Sequence, residues 1–300
     1  MVTADCHLHL TEVPEQVPHW WMQEMYRPYA SEYTTTDGKW IVDLLDRSGI
    51  DMGLVQGSDI RRTTFHPDHP TEYEVYVPND YTAEQVALYP DRLRGVACID
   101  PMRGMPWALE ELKRCVNELD FRSLKLVPSY QFYSPDDDRL DPLYEMAIEL
   151  DIPVHFFTGW TPIINSSLEF ADPFLLDEVG RRHRDLKVIV FINWPWVNKG
   201  VGMVAKHPNF YADMCHFAGG SLEQLHDALA SLRSYGALNR VMYGSDNSDK
   251  VRIGRGDATV PELYARVNEI AVEKGTDRFT DAELAGIMGG NATRLYKLDR

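Results

Sequence analysis

Four side chains in this 300-residue chain have the types and spacing needed to hold a metal ion: His7, His9, His155 and Asp246. The run Asp5-Cys6-His7-Leu8-His9 puts two imidazoles two residues apart. On an extended strand, residues at that spacing point to the same side. His7 and His9 can therefore form half of a site for zinc or a similar divalent ion, with manganese as the alternative. His155 lies within the apolar run Ile152-Pro-Val-His-Phe-Phe-Thr-Gly159. A histidine there is either a satisfied core residue or a third ligand. Asp246 closes the run Val241-Met-Tyr-Gly-Ser-Asp246. A carboxylate in that place can touch a metal and accept a proton from water, or it can simply cap the next helix.

These residues need rigid elements to bring them together. Short apolar, β-branched runs recur at residues 2–10, 50–57, 93–100, 123–128, 152–158, 187–193, 209–215 and 240–246. Amphipathic stretches at 107–119, 142–150, 173–183 and 222–235 lie between them. Strand alternating with helix implies βαβ units and a parallel sheet buried on both faces. Eight such runs without a break in composition favour an α/β fold of the distorted (β/α)8 TIM-barrel kind, which needs about 250 residues. The whole chain, 1–300, is expected to form one domain. Long segments at 11–39 and 58–92 follow the first two strands. In a barrel, that is the active-site face, so both are expected to build a lid or a substrate wall. Near the end, Thr280-x-x-Glu283 has the form of a capping box. The helix it opens is expected to stop at Gly289–Gly290.

Composition narrows the function. A net charge of −16 argues against nucleic acid and anionic membrane as partners, since both call for a basic surface. Any anionic substrate must meet a local basic spot. The four cysteines, Cys6, Cys98, Cys115 and Cys215, are too scattered for a disulfide framework. The start of the chain, Met1-Val-Thr-Ala-Asp5, shows no basic segment leading into an apolar one, and no run is long enough to cross a bilayer. A cytoplasmic protein is expected.

In combination, Asp5-Cys-His-Leu-His9, Leu124-Lys-Leu-Val-Pro128, Pro153-Val-His155, Gly244-Ser-Asp246 and Gly290-Asn-Ala-Thr-Arg294 resemble the amidohydrolase superfamily. The resemblance is to its amidohydrolase-related branch, which includes 2-amino-3-carboxymuconate-semialdehyde decarboxylase and the γ-resorcylate-type decarboxylases. It implies one catalytic divalent ion, commonly zinc, held by His7, His9, His155 and Asp246. It also implies that a homodimer is an open possibility. The family usually has a histidine at the end of strand six to handle the proton of a water. Here Asn193 takes that place, and an amide cannot shuttle a proton near neutral pH. Either Asp246 does this alone, or His216, just after strand seven, supplies the function; otherwise His216 is an exposed loop residue. Two-metal members carry a carboxylated lysine on strand four. Without the strand-six histidine, Lys125 is better read as structural or substrate-facing.

The groups that would meet substrate lie in loops. Arg61 or Arg62 could hold a carboxylate bidentately, and Trp160 and Trp194 could wall a planar ring, although each could equally serve the surface or the loop packing. Trp20, Trp21 and Trp196 share that double reading, and His66 and His69 read as a surface turn in His-Pro-Asp-His-Pro. Metal-assisted hydrolysis of an amide, lactone or related bond in a small carboxylate-bearing substrate is the expected function. Non-oxidative decarboxylation of an aromatic or unsaturated acid is the alternative. A barrel that binds without catalysis is a third.

Overall fold

The computed structural model describes residues 2–26, 35–60, 74–215, 221–247, 250–253 and 256–299. Eight strands form the central sheet: β1 Ala4–His9, β2 Met52–Gln56, β3 Leu93–Cys98, β4 Leu124–Leu126, β5 Val154–Phe156, β6 Val188–Phe191, β7 Phe210–Asp213 and β8 Val241–Met242. Their order in the sheet is their order in the chain, and each neighbouring pair is parallel. The first and last strands meet as well. Cys6 N donates to Tyr243 O at 3.0 Å, and Asp246 N donates to His7 O at 2.9 Å. These bonds close the sheet into a (β/α)8 barrel.

Every strand lies inside one of the eight apolar runs, but most are shorter than the run. The remaining residues at the C-terminal ends leave the ladder and turn into the loops that carry polar side chains. The crossover helices include Met105–Asn117, Asp141–Glu149, Leu176–Arg182 and Leu222–Ser234. Met105–Asn117 shows how they pack, since Ala108, Leu112 and Cys115 fall on one face and are buried.

Apolar side chains pack in two layers. Ala4, Cys6, Leu54, Val96, Ile189 and Met242 form one cluster, which Leu295 and Tyr296 of the last helix, with Leu298 just beyond it, help to close. A larger shell, including Val55, Leu124, Val154, Val188 and Val190, packs with the helices. Among the described residues, no helix is long and apolar enough to cross a membrane.

The long segments after β1 and β2 contain structure of their own. The first holds the helix His19–Tyr26 and a single bridge from Thr11 to Thr36, then runs into the helix Gly38–Ser48, capped by Asp37. The second pairs Ser58–Ile60 with Val75–Val77 and ends in the helix Asn79–Ala87. That helix is hard to see in an apolar pattern because its buried positions are Asn79 and Thr82.

The capping box at Thr280 and Glu283 is present. The chain does break at Gly289, yet it resumes as the helix Asn291–Tyr296 rather than ending there. The reason is a close approach, because a Cβ on Gly289 would lie 2.1 Å from the carbonyl oxygen of Val2. Only a glycine lets the last helix lie against the start of β1. Gly289→Ala should therefore cost about 2 kcal/mol by forced backbone movement, read as a lower urea midpoint. Gly202→Ala, in the helix Val197–Lys206 with nothing within 4 Å of the new Cβ, should be neutral or stabilising by roughly 0.5–1 kcal/mol. Equal effects would show that the contact with Val2 is not limiting.

Candidate active site at the C-terminal end of the barrel

His7 and His9 owe their placement to an irregularity in β1. Between Asp5 and Leu8 the register against β2 shifts by one residue. Such a bulge re-aims side chains, and here adjacent residues reach the same partner. The Cys6 thiol lies 3.5 Å from one oxygen of Asp213, and His7 Nδ1 lies 2.5 Å from the other.

Asp213 ends β7, is fully buried, and also takes His155 Nε2 at 2.9 Å and the backbone N–H of Cys215 at 3.0 Å. Burial alone would raise its pKa. The facing His7 and His155 outweigh this and hold the carboxyl well below the usual range. With Asp213 ionised, His7 donates through Nδ1, which fixes its tautomer and leaves the Nε2 lone pair free.

That lone pair faces the remaining polar groups. His7 Nε2 lies 3.0 Å from His9 Nε2, and Asp246 Oδ1 is 3.2 Å from His9 Nε2 and 3.9 Å from His7 Nε2. Asp246 is aimed by an unusual backbone. Both it and Asn247 sit at positive φ, 54° and 61°, a conformation that Asp and Asn tolerate best among side-chain-bearing residues. Asn247 then clamps His9, accepting from its N–H at 2.9 Å and donating to its carbonyl at 2.8 Å. Gln56 at the end of β2 adds an amide nitrogen 3.1 Å from His9 Nε2. On the other side of the seam, Asp5 Oδ1 accepts from the N–H groups of His7 and Ser245, each at 3.0 Å.

The structure thus brings His7, His9 and Asp246 together directly. His155 stands edge-on to His7, with ring centroids 5.1 Å apart and its Nε2 turned to Asp213 and, at 3.3 Å, to Lys125 Nζ. The amide of Asn193 is engaged with backbone, donating to Trp160 O at 3.3 Å and accepting from Trp194 N at 2.7 Å. Trp160 and Trp194 meet edge to face at 6.0 Å, and Trp194 is 59% exposed. Arg61, Arg62, His66, His69 and His216 lie outside the described residues.

Three groups had no clear signal in the sequence. Asp213 is an acidic residue closing an apolar strand, as Asp246 is, and that parallel could have pointed to it. Asn247 is one residue beyond a motif already noted. The aromatic run from His7 through Phe191 and Phe157 to Tyr130 draws on four separate strand ends and has no local pattern. A surface hollow lined by Leu45, Asp51, Met52 and Arg92 sits at the opposite, N-terminal end of the strands, away from these groups.

The donor set suits a divalent ion. Zinc–ligand bonds of about 2.0–2.1 Å in a tetrahedral shell place ligand atoms roughly 3.3–3.4 Å apart, and the three separations found here, 3.0, 3.2 and 3.9 Å, scatter about that value. His7 is also in the right protonation state, since burial and the nearby Lys125 lower its pKa to about 4. Cys215, fully buried, has its sulfur within 4.8 Å of the ligand atoms of His7 and Asp246.

Comparison with known proteins agrees with this architecture. Residues 4–298 match the Amidohydrolase family, and the chain belongs to it. A 2-keto-4-carboxy-3-hexenedioate hydratase from Sphingobium sp. is 28% identical over 191 residues, which cover 56% of this chain and 55% of that protein. The match thus spans about half the length of this curated relative. Among solved structures, a dihydroxybenzoic acid decarboxylase from Polaromonas sp. with bound manganese and the inhibitor 2-nitroresorcinol superposes with a TM-score of 0.65 at 19% identity, covering 100% of this chain and 98% of the other. A probable 2-pyrone-4,6-dicarboxylic acid hydrolase from Acinetobacter baumannii with citric acid bound gives 0.64 at 15%, covering 99% and 100%. At these identities the two structural matches establish the fold alone.

The buried cluster has a pH signature of its own in metal-free protein. His7 near 4 and His155 near 3, both lowered chiefly by burial, stay neutral where unfolded imidazoles near 6.5 take up protons. Their contribution is whole above pH 6.5 and is lost as the pH falls. Asp5 acts in the opposite sense. Burial raises it to about 7 from 3.8, so its contribution is whole below 3.8 and is lost as the pH rises through 7. Between pH 6.5 and 4 the unfolded chain binds two protons more on imidazoles and one fewer on Asp5, a net of one. Urea stability should fall on acidification by about 1.4 kcal/mol per pH unit from this cluster. Asp5→Asn should steepen the slope toward two protons, and a flat profile in both proteins would contradict the assignment.

Proposed function

We propose that this chain is a divalent-metal-dependent hydrolase acting on an amide, lactone or related bond of a small, planar, carboxylate-bearing substrate. The observation that carries this is the convergence of His7 Nε2, His9 Nε2 and Asp246 Oδ1 within 3.0–3.9 Å at the mouth of an amidohydrolase-family barrel. His7, His9 and Asp246 would hold the ion, with His155 completing the imidazole set. Zinc is the proposed metal, and manganese is the alternative, given its presence in the Polaromonas decarboxylase. When bound, the ion supplies Lewis-acid polarisation of a carbonyl and acidifies water.

The chain's own groups do the rest. Asp246, partly open to solvent and aimed by its positive φ, is the proton acceptor for attacking water. His7 is kept neutral and correctly oriented by Asp213. With its amide tied to the backbone of Trp160 and Trp194, Asn193 would shape the loop that carries those rings rather than move a proton. Trp160 and Trp194 remain candidates for a wall against substrate, and Arg61 and Arg62 for the carboxylate grip. His216 stays a candidate for a second proton carrier. The four cysteines are free and buried, which suits a reducing, cytoplasmic setting.

Decarboxylation of an aromatic or unsaturated acid is the second reading, favoured by the decarboxylase that superposes over the full chain. Product analysis in ¹⁸O water separates the two. Label in the product with no carbon dioxide supports hydrolysis, whereas carbon dioxide with no label in the organic product supports decarboxylation. Under either chemistry, Asp246→Asn should lower kcat by about 10²–10⁴-fold with an unchanged thermal midpoint. Exhaustive chelation should abolish turnover, and added zinc or manganese should restore it. Full activity in the variant or in the chelated protein would sink the proposal.

A further inference from the structure

Lys125, in the middle of β4, is only 2% exposed. An ammonium has three donors and no acceptor. Among the described residues, Nζ approaches His155 Nε2 at 3.3 Å, a nitrogen whose proton is already given to Asp213, and no carboxylate lies within 4.0 Å of Nζ. Burial pulls its pKa down, and the acidic groups that act against this from further off include Asp213 and Asp246. Removing an ammonium from water costs several kcal/mol unless it is paired and hydrogen-bonded. A buried lysine with donors to spare, beside a catalytic cluster, is poorly explained as a packing residue.

Its surroundings suggest what it awaits. Nζ lies 5.7 Å from the centre of the Phe191 ring. Phe191 stacks on Phe157 at 5.2 Å, and Phe157 stacks on Tyr130 at 5.2 Å. Phe157 thus lies between the other two rings, and the cation sits beside the buried Phe191 ring, which His7 also borders at 5.3 Å. In a chain of net charge −16, this is a local positive point of the kind an anionic substrate requires.

We infer that Lys125 is the anion-receiving residue of this site, where its ammonium engages a carboxylate of a planar acid. The inference rests on the proposed function for the site's location and names its substrate class more closely. It does not depend on which bond is broken. Lys125 would set specificity by charge, while the His7, His9 and Asp246 cluster carries the chemistry.

Calorimetric titration of the metal-loaded protein with benzene-1,3-dicarboxylate and with the uncharged benzene-1,3-dicarboxamide tests this without turnover. Wild type should bind the dicarboxylate at least tenfold more tightly than the diamide. Lys125→Met should lose that preference, with bound metal and thermal midpoint unchanged. Lys125→Gln, which keeps a polar group in place of the ammonium, should lose it as well and serves if the methionine variant does not fold. A folded, metal-loaded variant with undiminished preference overturns the inference, as does a wild type that does not discriminate. Repeating the wild-type titration after chelation separates the two claims. A preference that persists without metal supports the lysine contact whatever becomes of the proposed reaction, whereas one that vanishes with the metal assigns anion binding to the ion and overturns it.

Discussion

A carboxylate stripped of water at the end of β7 organises the mouth of this barrel. Burying such a charge is expensive unless every oxygen is met by a donor. Asp213 meets that condition with two imidazoles, one backbone N–H and the thiol of Cys6. The donors come from β1, β5 and the turn just after β7, so one anion joins three distant parts of the chain. The same contact sets the chemistry of His7, because committing Nδ1 to Asp213 leaves Nε2 as the face offered to a cation. Removing the anion would leave two buried imidazoles without a fixed tautomer.

A second constraint acts at the seam where the barrel closes. Asp5, His7 and His9 on β1 are bonded across to Ser245, Asp246 and Asn247 beyond β8. Most of these bonds involve backbone, so the positions of His9 and Asp246 follow from the closure of the sheet rather than from flexible loops. Sites supported by rigid elements hold their geometry better than sites on loops. The left-handed pair Asp246 and Asn247 is the strained point of this seam. It turns the chain sharply enough to bring a carboxylate beside both Nε2 atoms.

Much of the fold was legible because it rests on local pattern. The Val- and Ile-rich run at 187–193 announces a strand buried on both faces, and Thr280 with Glu283 announces a helix start. The polar helix Asn79–Ala87 was not legible, since nothing apolar marks its buried side. In the site, the two-residue spacing of His7 and His9 was informative even though β1 does not alternate regularly. The bulge that turns both Cys6 and His7 toward Asp213 comes from pairing with β2, which no single segment encodes. Asp213 stayed obscure for a similar reason, and Lys125 was legible only as structural or substrate-facing. Their importance lies in what surrounds them after the barrel closes.

X-ray absorption at the metal edge of the zinc-loaded protein tests the central claim most directly. A first shell of nitrogen and oxygen, with outer scattering from at least two imidazole rings, is the result expected if His7, His9 and Asp246 share one ion. A shell dominated by sulfur, or one without imidazole scattering, would place the ion elsewhere and contradict the account.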